Sequence, residues 1–197
     1  MKDHIQHNIE ITERVVSNQK DTSIDKMKRL RYNNIVDVIT PNTNRNLPLL
    51  DIGARKGELL DIFKEYGFEN LYAIEIWPEG IEIMKEKNYV IVDGDAQNFC
   101  LIDMFGTIVV SHVLEHCPNP HKVIRNIDNS LLLNGFVYIE VPAQKKGAAP
   151  ESTGHYSFFP NVDAITGLFD MDRWLLVGSG GVRNNIFILM RKMKDGK

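Results

Sequence analysis

Between residues 47 and 142 the chain alternates short apolar runs with amphipathic stretches, and this alternation constrains its fold more than any other feature. LPLLDIG (47–53), NLYAIEI (70–76), YVIVDGD (89–95), TIVVSHV (107–113) and FVYIEVP (136–142) are short and apolar, the pattern of strands buried on both faces. Between them, KGELLDIFKEYG (56–67) reads as a helix closed by Gly67, and PEGIEIMKEK (78–87) as a helix opened by Pro78. NPHKVIRNIDNSLLLNG (119–135) reads as a further helix stopped by its final glycine. Parallel strands need crossovers, and helices supply them, so the alternation predicts an α/β fold with a largely parallel sheet covered on both faces.

The flanks follow different rules. Residues 3–20 and 23–40 read as two helices, the second with Ser23 as N-cap and Ile24, Met27, Leu30, Ile35 and Val38 near helical spacing. Pro41 and the polar run to Asn46 end it. Residues 1–46 are therefore expected to form a helical cap, and residues 47–197 the domain proper. After Pro142 the rhythm stops. Residues 143–159 read as a long loop of the kind used as a lid, and residues 161–169 as a short helix. RWLLVGS (173–179) and RNNIFILMRK (183–192) read as a terminal strand pair turning around Gly180 and Gly181.

A chain of 197 residues suits one such domain. Its net charge of −3 gives no global basic field for a long nucleic acid. Two local clusters, Lys26, Lys28, Arg29 and Arg31, and Arg191, Lys192, Lys194 and Lys197, read as solvated faces. Cys100 and Cys117 lack CxxC spacing and are too few for a disulfide scaffold, which favours a reduced interior. The first residues, MKDHIQHNIEITER, have no apolar core of a secretory signal, and no apolar stretch approaches the ~18 residues of a membrane span. The expectation is a cytoplasmic protein with no membrane partner.

In open α/β sheets, ligands sit beyond the carboxyl ends of the strands at the topological switch point. The segment there is Asp51 to Gly57, and it lacks the GxGxxG fingerprint of dinucleotide folds, which argues against a nicotinamide dehydrogenase. Asp51 at the end of the first strand disfavours a pyrophosphate and favours a cation. A ligand carboxylate would meet the helix N-terminus near Lys56 and Gly57. Glu75 ends the second strand, the place of an acid that accepts from ribose hydroxyls. Asp95 and Ala96 end the third, within reach of an adenine edge. Taken singly, Asp51 reads equally as a helix cap, Glu75 as a solvent-facing acid and Asp95 as a turn residue. Together, in strand-end register, they point to an adenosine ligand that also carries an ammonium, a sulfonium and a carboxylate.

These segments resemble the class I S-adenosylmethionine-dependent methyltransferases. The likeness is strongest to small enzymes with a D-x-G-x-G-x-G, E, G-D-A, H-x-x-E-H, P pattern. LLDIGARKGELL, YAIEIWPEGIEIMKEK, VDGDAQNF, VVSHVLEHCPNPHKVIRNIDNSLLLNGFVYIEVP and GHYSFFP carry it, over about residues 47–160. The resemblance implies a Rossmann-like three-layer sandwich with a seven-stranded, mostly parallel sheet, an antiparallel last strand, and N-terminal helices over the substrate pocket. It implies S-adenosylmethionine as methyl donor and S-adenosylhomocysteine as product. Position by position it implies cofactor-binding roles for Asp51, Gly53 and Gly57 in the glycine-rich loop, and for Glu75 at the ribose. It implies the same for Ile76 on the adenine face, Asp95 and Ala96 at the adenine edge, and Ser111 and His112 beside the methionine moiety. Arg55 stands where the family has its central glycine, which the fold tolerates if the side chain points away from the ligand.

Methyl transfer from a sulfonium is an in-line displacement that positioning alone accelerates strongly. A hydroxyl or ammonium acceptor adds the need for a base. His112 and His116 are four apart, so a helical turn would set them on one face beside Glu115. His155 lies on the long loop, which can fold back over the same mouth. His116 and His155 are the expected catalytic pair. The bland alternative is that His116 buttresses its turn and His155 packs beside Tyr156, Phe158 and Phe159. His112, Glu115, His116 and His155 are also metal-ligand types. Similar spacing, with Glu in the first position, occurs in metal-assisted O-methyltransferases of small-RNA ends and of ubiquinone synthesis. A metal is not expected here, but the ligand set allows one. The expected function is thus S-adenosylmethionine-dependent methylation of a small-molecule acceptor, at oxygen, with a His base. An RNA or other nucleic-acid methyltransferase is opposed by the acidic balance and by VVSHVLEH in place of an Asn-Pro-Pro-Tyr-type segment. A non-catalytic binding protein on the same fold is the remaining alternative, with Arg55 its main support.

Overall fold

The computed structural model describes residues 4–17, 26–144, 154–182 and 184–194. The expected Ser23 cap and residues 145–153 of the expected lid lie outside the described residues. Seven strands form one sheet: β1 (Leu49–Ile52), β2 (Leu71–Ile74), β3 (Val90–Ile91), β4 (Phe105–Ser111), β5 (Leu131–Pro142), β6 (Trp174–Val182) and β7 (Asn185–Lys192). Their order is β3-β2-β1-β4-β5-β7-β6. The pairs β1/β2, β2/β3, β1/β4 and β4/β5 are parallel, while β7 lies antiparallel between β5 and β6. The order reverses between β1 and β4, and that is the switch point.

Side-chain alternation along the strands builds two cores. Leu50, Ile52, Ile108, Val110, Val137 and Ile139 face the layer of α5 (Pro120–Ser130) and α6 (Val162–Thr166). Leu49, Val109, Tyr138 and Leu189 face the layer of α2 (Lys26–Ile39), α3 (Glu58–Glu65) and α4 (Pro78–Glu86). The architecture is the expected three-layer α/β sandwich with a reversed last strand. Among the described residues no helix is long and apolar enough to cross a membrane.

Three local expectations need correction. The expected helix over residues 119–135 ends at Ser130, and Leu131 to Leu133 already belong to β5. Ser130 Oγ donates to Asn126 O (2.7 Å) and to Leu101 O (3.1 Å), and Leu131 pairs with Phe105. The three leucines fit either period, and the neighbouring strand decides. The terminal hairpin turns between Val182 and Asn185, so Gly180 and Gly181 are strand residues. Gly180 is small for a packing reason: a Cβ there would come within 2.9 Å of the Phe187 ring. Finally, Lys192 is not on a solvated face: it is 3% exposed.

Candidate active site

The chain leaves β1 through three left-handed residues, Gly53 (φ 79°), Arg55 (φ 52°) and Gly57 (φ 73°). A side chain at Gly53 would overlap that of Val113, which fixes glycine there. Arg55 bears the steric cost of left-handed backbone, roughly 1 kcal/mol. Two features offset it. Its N–H donates to Glu75 Oε2 at 2.6 Å, and Gly80 of α4 leaves room for its carbonyl, which any larger residue at 80 would strike. Arg55 itself lines the cleft, and its charge also acts on Lys28 and Tyr32 of α2.

Beyond β1 and β4 lies a cleft of about 770 Å³, part of it open to solvent. Gly53, Glu75, Ile76, Asp95, Ala96 and His112 line one side of it, with His116 beside them. Glu75 is buried, and its Oε1 accepts from the backbone of Ile76 (2.8 Å) and Trp77 (2.9 Å). Asp95 accepts from Gln97 N (2.7 Å) and Asn98 Nδ2 (2.6 Å), so it is a turn residue and a cleft residue at once. The opposite wall is α1 (His4–Ser17), whose His4, Ile5, Asn8, Ile11 and Thr12 lie on one helical face. Asn8 Nδ2 donates to His116 O (3.1 Å), and His4 meets the Gln97 amide (2.9 Å).

Asp51, Gly57 and His155 do not line the cleft. Asp51 alternates with Leu50 and Ile52 and so faces the α2 layer with Leu49. Burial and then Glu75 hold its carboxyl well above the usual carboxylate range, against the opposing charge of Arg31. The carboxylate expected to attract a cation there therefore does not line the cleft. Gly57 is the N-cap of α3, and a Cβ on it would press on Met84 (3.0 Å) and Tyr89 (3.1 Å).

The histidines gather beyond β4. His112 takes φ 57°, and its N–H donates to Glu140 O at 2.9 Å. Its ring lies between two buried carboxylates, Nδ1 3.4 Å from Glu115 Oε1 and Nε2 3.5 Å from Glu140 Oε1. These are ion-pair distances, and Nε2 completes no hydrogen bond among the described residues. Burial opposes the imidazolium, but Glu115 and Glu140 together outweigh it and raise the His112 pKa. Burial likewise opposes the Glu140 carboxylate, and His112, Arg31 and Asn185 outweigh it and lower its pKa. His112 is thus biased toward the imidazolium form.

A 3₁₀ turn, Leu114–His116, follows. The Glu115 carbonyl accepts from Tyr156 N (2.7 Å) and Ser157 N (3.1 Å), which brings the segment after residue 153 back to this turn. The rings of His116 and His155 then pack edge to face, 4.7 Å apart. His116 Nδ1 lies 3.0 Å from Gly154 O. A carbonyl only accepts, so Nδ1 carries a proton, and in the neutral tautomer this selects, Nε2 holds the lone pair. His155 Nδ1 hydrogen-bonds the Gln144 amide, and burial followed by His116 lowers its pKa. Glu115, His116 and His155 each present a ligand atom within 4.8 Å of the others, a set able to hold a divalent cation. Neither Glu115 side-chain oxygen makes a hydrogen bond among the described residues, although Glu115 is 1% exposed. Cys117 next to this turn is inert, its thiol pushed up to about 12 by burial and then by Glu115.

Asn8, Gln97 and Glu140 were not singled out from the sequence, and Arg31, read there as part of a solvated face, lies 3.9 Å from buried Glu140. An acid inside FVYIEVP was the one signal available for Glu140.

The strand order, the left-handed loop after β1 and the cleft at the β1/β4 switch point define the class I methyltransferase fold. The chain belongs to the methyltransferase-domain family, whose sequence model, described as "Methyltransferase domain", matches residues 25–171. No curated protein matches the sequence. Among solved structures it is similar to the N-methyltransferase NodS from Bradyrhizobium japonicum WM9 in complex with S-adenosyl-l-homocysteine. That match has 17% identity and a TM-score of 0.73, and it covers 98% of this chain and 100% of that one. It is similar to the Burkholderia thailandensis 1,6-didemethyltoxoflavin-N1-methyltransferase with bound 1,6-didemethyltoxoflavin and S-adenosylhomocysteine. There the identity is 17%, the TM-score 0.73, and the coverage 98% and 92%. It is also similar to the [4+2]-cyclase SpnF, at 12% identity, TM-score 0.72 and coverage of 88% and 85%. Identities this low carry the fold alone.

Proposed function

We propose that the protein is an S-adenosylmethionine-dependent methyltransferase of a small-molecule acceptor, acting at oxygen with His116, backed by His155, as the base. The observation that carries this reading is two buried acids, Glu75 and Asp95, on one wall of a cleft whose rim holds His116. Family membership and the two similar structures with S-adenosylhomocysteine support it. The residues fit the cofactor: Gly53, Glu75, Ile76, Asp95 and Ala96 would hold the adenosine, and His112 the methionine end. S-adenosylmethionine supplies an electrophilic methyl on a sulfonium. The chain supplies orientation, a cleft walled on one side by α1, and His116 Nε2 to take the acceptor proton. In this reading α1 belongs to a cap, residues 1–46, that covers the acceptor, and the unpaired cysteines suit a cytoplasmic setting.

Calorimetric titration with S-adenosylmethionine, S-adenosylhomocysteine and NAD tests the reading. Saturable binding of the first two and none of NAD is expected. A folded protein that binds neither would overturn it and leave a non-catalytic role for the fold.

One observation favours a second, metal-assisted reading: the Glu115 carboxylate is buried and makes no hydrogen bond among the described residues, beside His116 and His155. His116 would then be a ligand instead of a base. Titration of the apoprotein with Mg²⁺, Mn²⁺ and Zn²⁺ decides between them. Binding that Glu115→Gln abolishes supports the metal, and no binding excludes it.

A further inference from the structure

We infer that the Arg55 guanidinium holds the carboxylate of the cofactor's amino-acid end, in place of the helix N-terminus to which the sequence pointed. This role rests on the methyltransferase reading and adds a specificity residue to its cofactor site.

The place expected for that carboxylate, the start of α3 near Lys56 and Gly57, lies outside the cleft, and neither residue lines it. The Lys56 ammonium stands over the Trp77 ring, 5.7 Å from its centre. The first turn of α3 carries Glu58 and Asp61, and Glu58 accepts from Lys28 of α2. The positive end of the helix therefore already meets acids of the chain itself.

Arg55 does line the cleft, with Gly53 and Glu75 beside it, so the expectation that its side chain points away from the ligand needs correction. The residue is partly buried. Among the described residues Lys28 pairs with Glu58 and Arg31 lies 3.9 Å from Glu140, while the Arg55 side chain makes no ion pair. A guanidinium partly out of water without a counter-charge gains from an anion that enters the cleft, and its planar fork matches a carboxylate.

The backbone at this position points the same way. Glycine takes φ 52° freely, whereas an arginine is strained there. The bond that residue 55 makes to Glu75 comes from its backbone N–H, which a glycine would supply equally. The loop thus has no need of the side chain, and strain kept at a ligand site is the mark of a functional one.

The surrounding charges decide which group of the ligand it meets. Glu75 and Asp95 are the acids of the adenosine side. Arg55 and Arg31 both act on Lys28, and Arg31 acts on His112 as well, so positive charge gathers among the loop after β1, α2 and the His112 end of the cleft. S-adenosylmethionine and S-adenosylhomocysteine each carry one anionic group, the carboxylate at the end remote from adenine. Opposite charges then fall into register along the cleft.

Calorimetry on the full chain compares S-adenosylhomocysteine with S-adenosyl-3-thiopropylamine, which keeps the adenosine, the thioether and the amine and lacks the carboxylate alone. The parent should prefer S-adenosylhomocysteine. Arg55→Gly relieves the backbone strain and should melt no lower than the parent. It should weaken S-adenosylhomocysteine by about tenfold, ~1.4 kcal/mol, and change the carboxylate-free analogue by less than about twofold. Arg55→Lys keeps a cation without the fork and should recover part of the lost preference. An equal loss for both ligands would show that residue 55 acts through the loop and overturn the inference. So would S-adenosylhomocysteine binding in Arg55→Gly as tight as in the parent, or tighter, the sign of an idle or obstructing side chain. Absence of S-adenosylhomocysteine binding in both the parent and Arg55→Gly would instead remove the methyltransferase reading itself.

Discussion

The upward shift of the His112 pKa comes from two carboxylates that reach it from different elements, Glu115 from the turn after β4 and Glu140 from β5. The linkage has a definite sign. The folded His112 pKa lies above its ordinary ~6.5, so its contribution is fully present below that pH and is lost as pH rises through the folded value. The folded Glu140 pKa is depressed, so its contribution is present above ~4.3 and is lost as pH falls through the folded value. The pair therefore stabilises most between about pH 4.3 and 6.5. The stability gap between the parent and His112→Gln, from denaturant midpoints of metal-free protein, should be widest in that window and narrow toward alkaline pH. A gap independent of pH would mean that His112 is neutral in the fold. The sequence marked His112 through its family position but not its partner. Strand alternation puts Glu140 on the Tyr138 face, yet nothing local shows that β4 ends in a left-handed residue that returns the imidazole over β5. Arg55 shows the same limit, since the glycine that accommodates it, Gly80, lies on another helix.

α1 forms one wall of the cleft and contributes to neither buried core. It is attached through Asn8 to the His116 carbonyl and His4 to Gln97, with Ile11 against Gly154 and the His7 ring edge-on to Tyr156. An element held this way opens locally, below the free energy of global unfolding. Asn8→Ala removes one net hydrogen bond, ~1 kcal/mol. Amide exchange in α1 should then rise by about fivefold, with the melting temperature of the domain unchanged. A melting temperature that falls in step with α1 exchange would place α1 inside the cooperative unit. The helices and strands were legible in the sequence wherever one period ran alone. They were not where two periods overlapped, as in Leu131 to Leu133, or where a glycine served packing instead of a turn, as in Gly180.

Across the whole molecule the two edges of the sheet do different work. The carboxyl edge opens into the cleft, and the opposite edge is locked by a buried lysine. Lys192 Nζ donates to Asp128 O (2.8 Å) and Leu131 O (2.9 Å), and lies near the carboxylates of Asp103 (3.7 Å) and Asp128 (3.9 Å). Arg173 grips the same Asp128 through both oxygens, at 2.9 and 2.8 Å. This knot ties the end of α5 and the start of β5 to β7 and to the residue preceding β6, so it closes the sheet where the antiparallel strand enters. The parallel character of the first strands was readable because the helical crossovers between them are local signals. The lysine was not, because a basic C-terminal run looks solvated until β7 is seen to insert between β5 and β6. Removing one partner of a buried ion pair strands the other and costs about 3 kcal/mol. Lys192→Met should lose about that much in denaturant unfolding, with the cost held to this range because Arg173 still neutralises Asp128. The cleft lies at the far ends of the same strands, so the folded variant should bind S-adenosylhomocysteine as the parent does. A loss of affinity that exceeds the loss of folded protein would show that the two edges are coupled through β5 and β7, and the division of labour between them would fail.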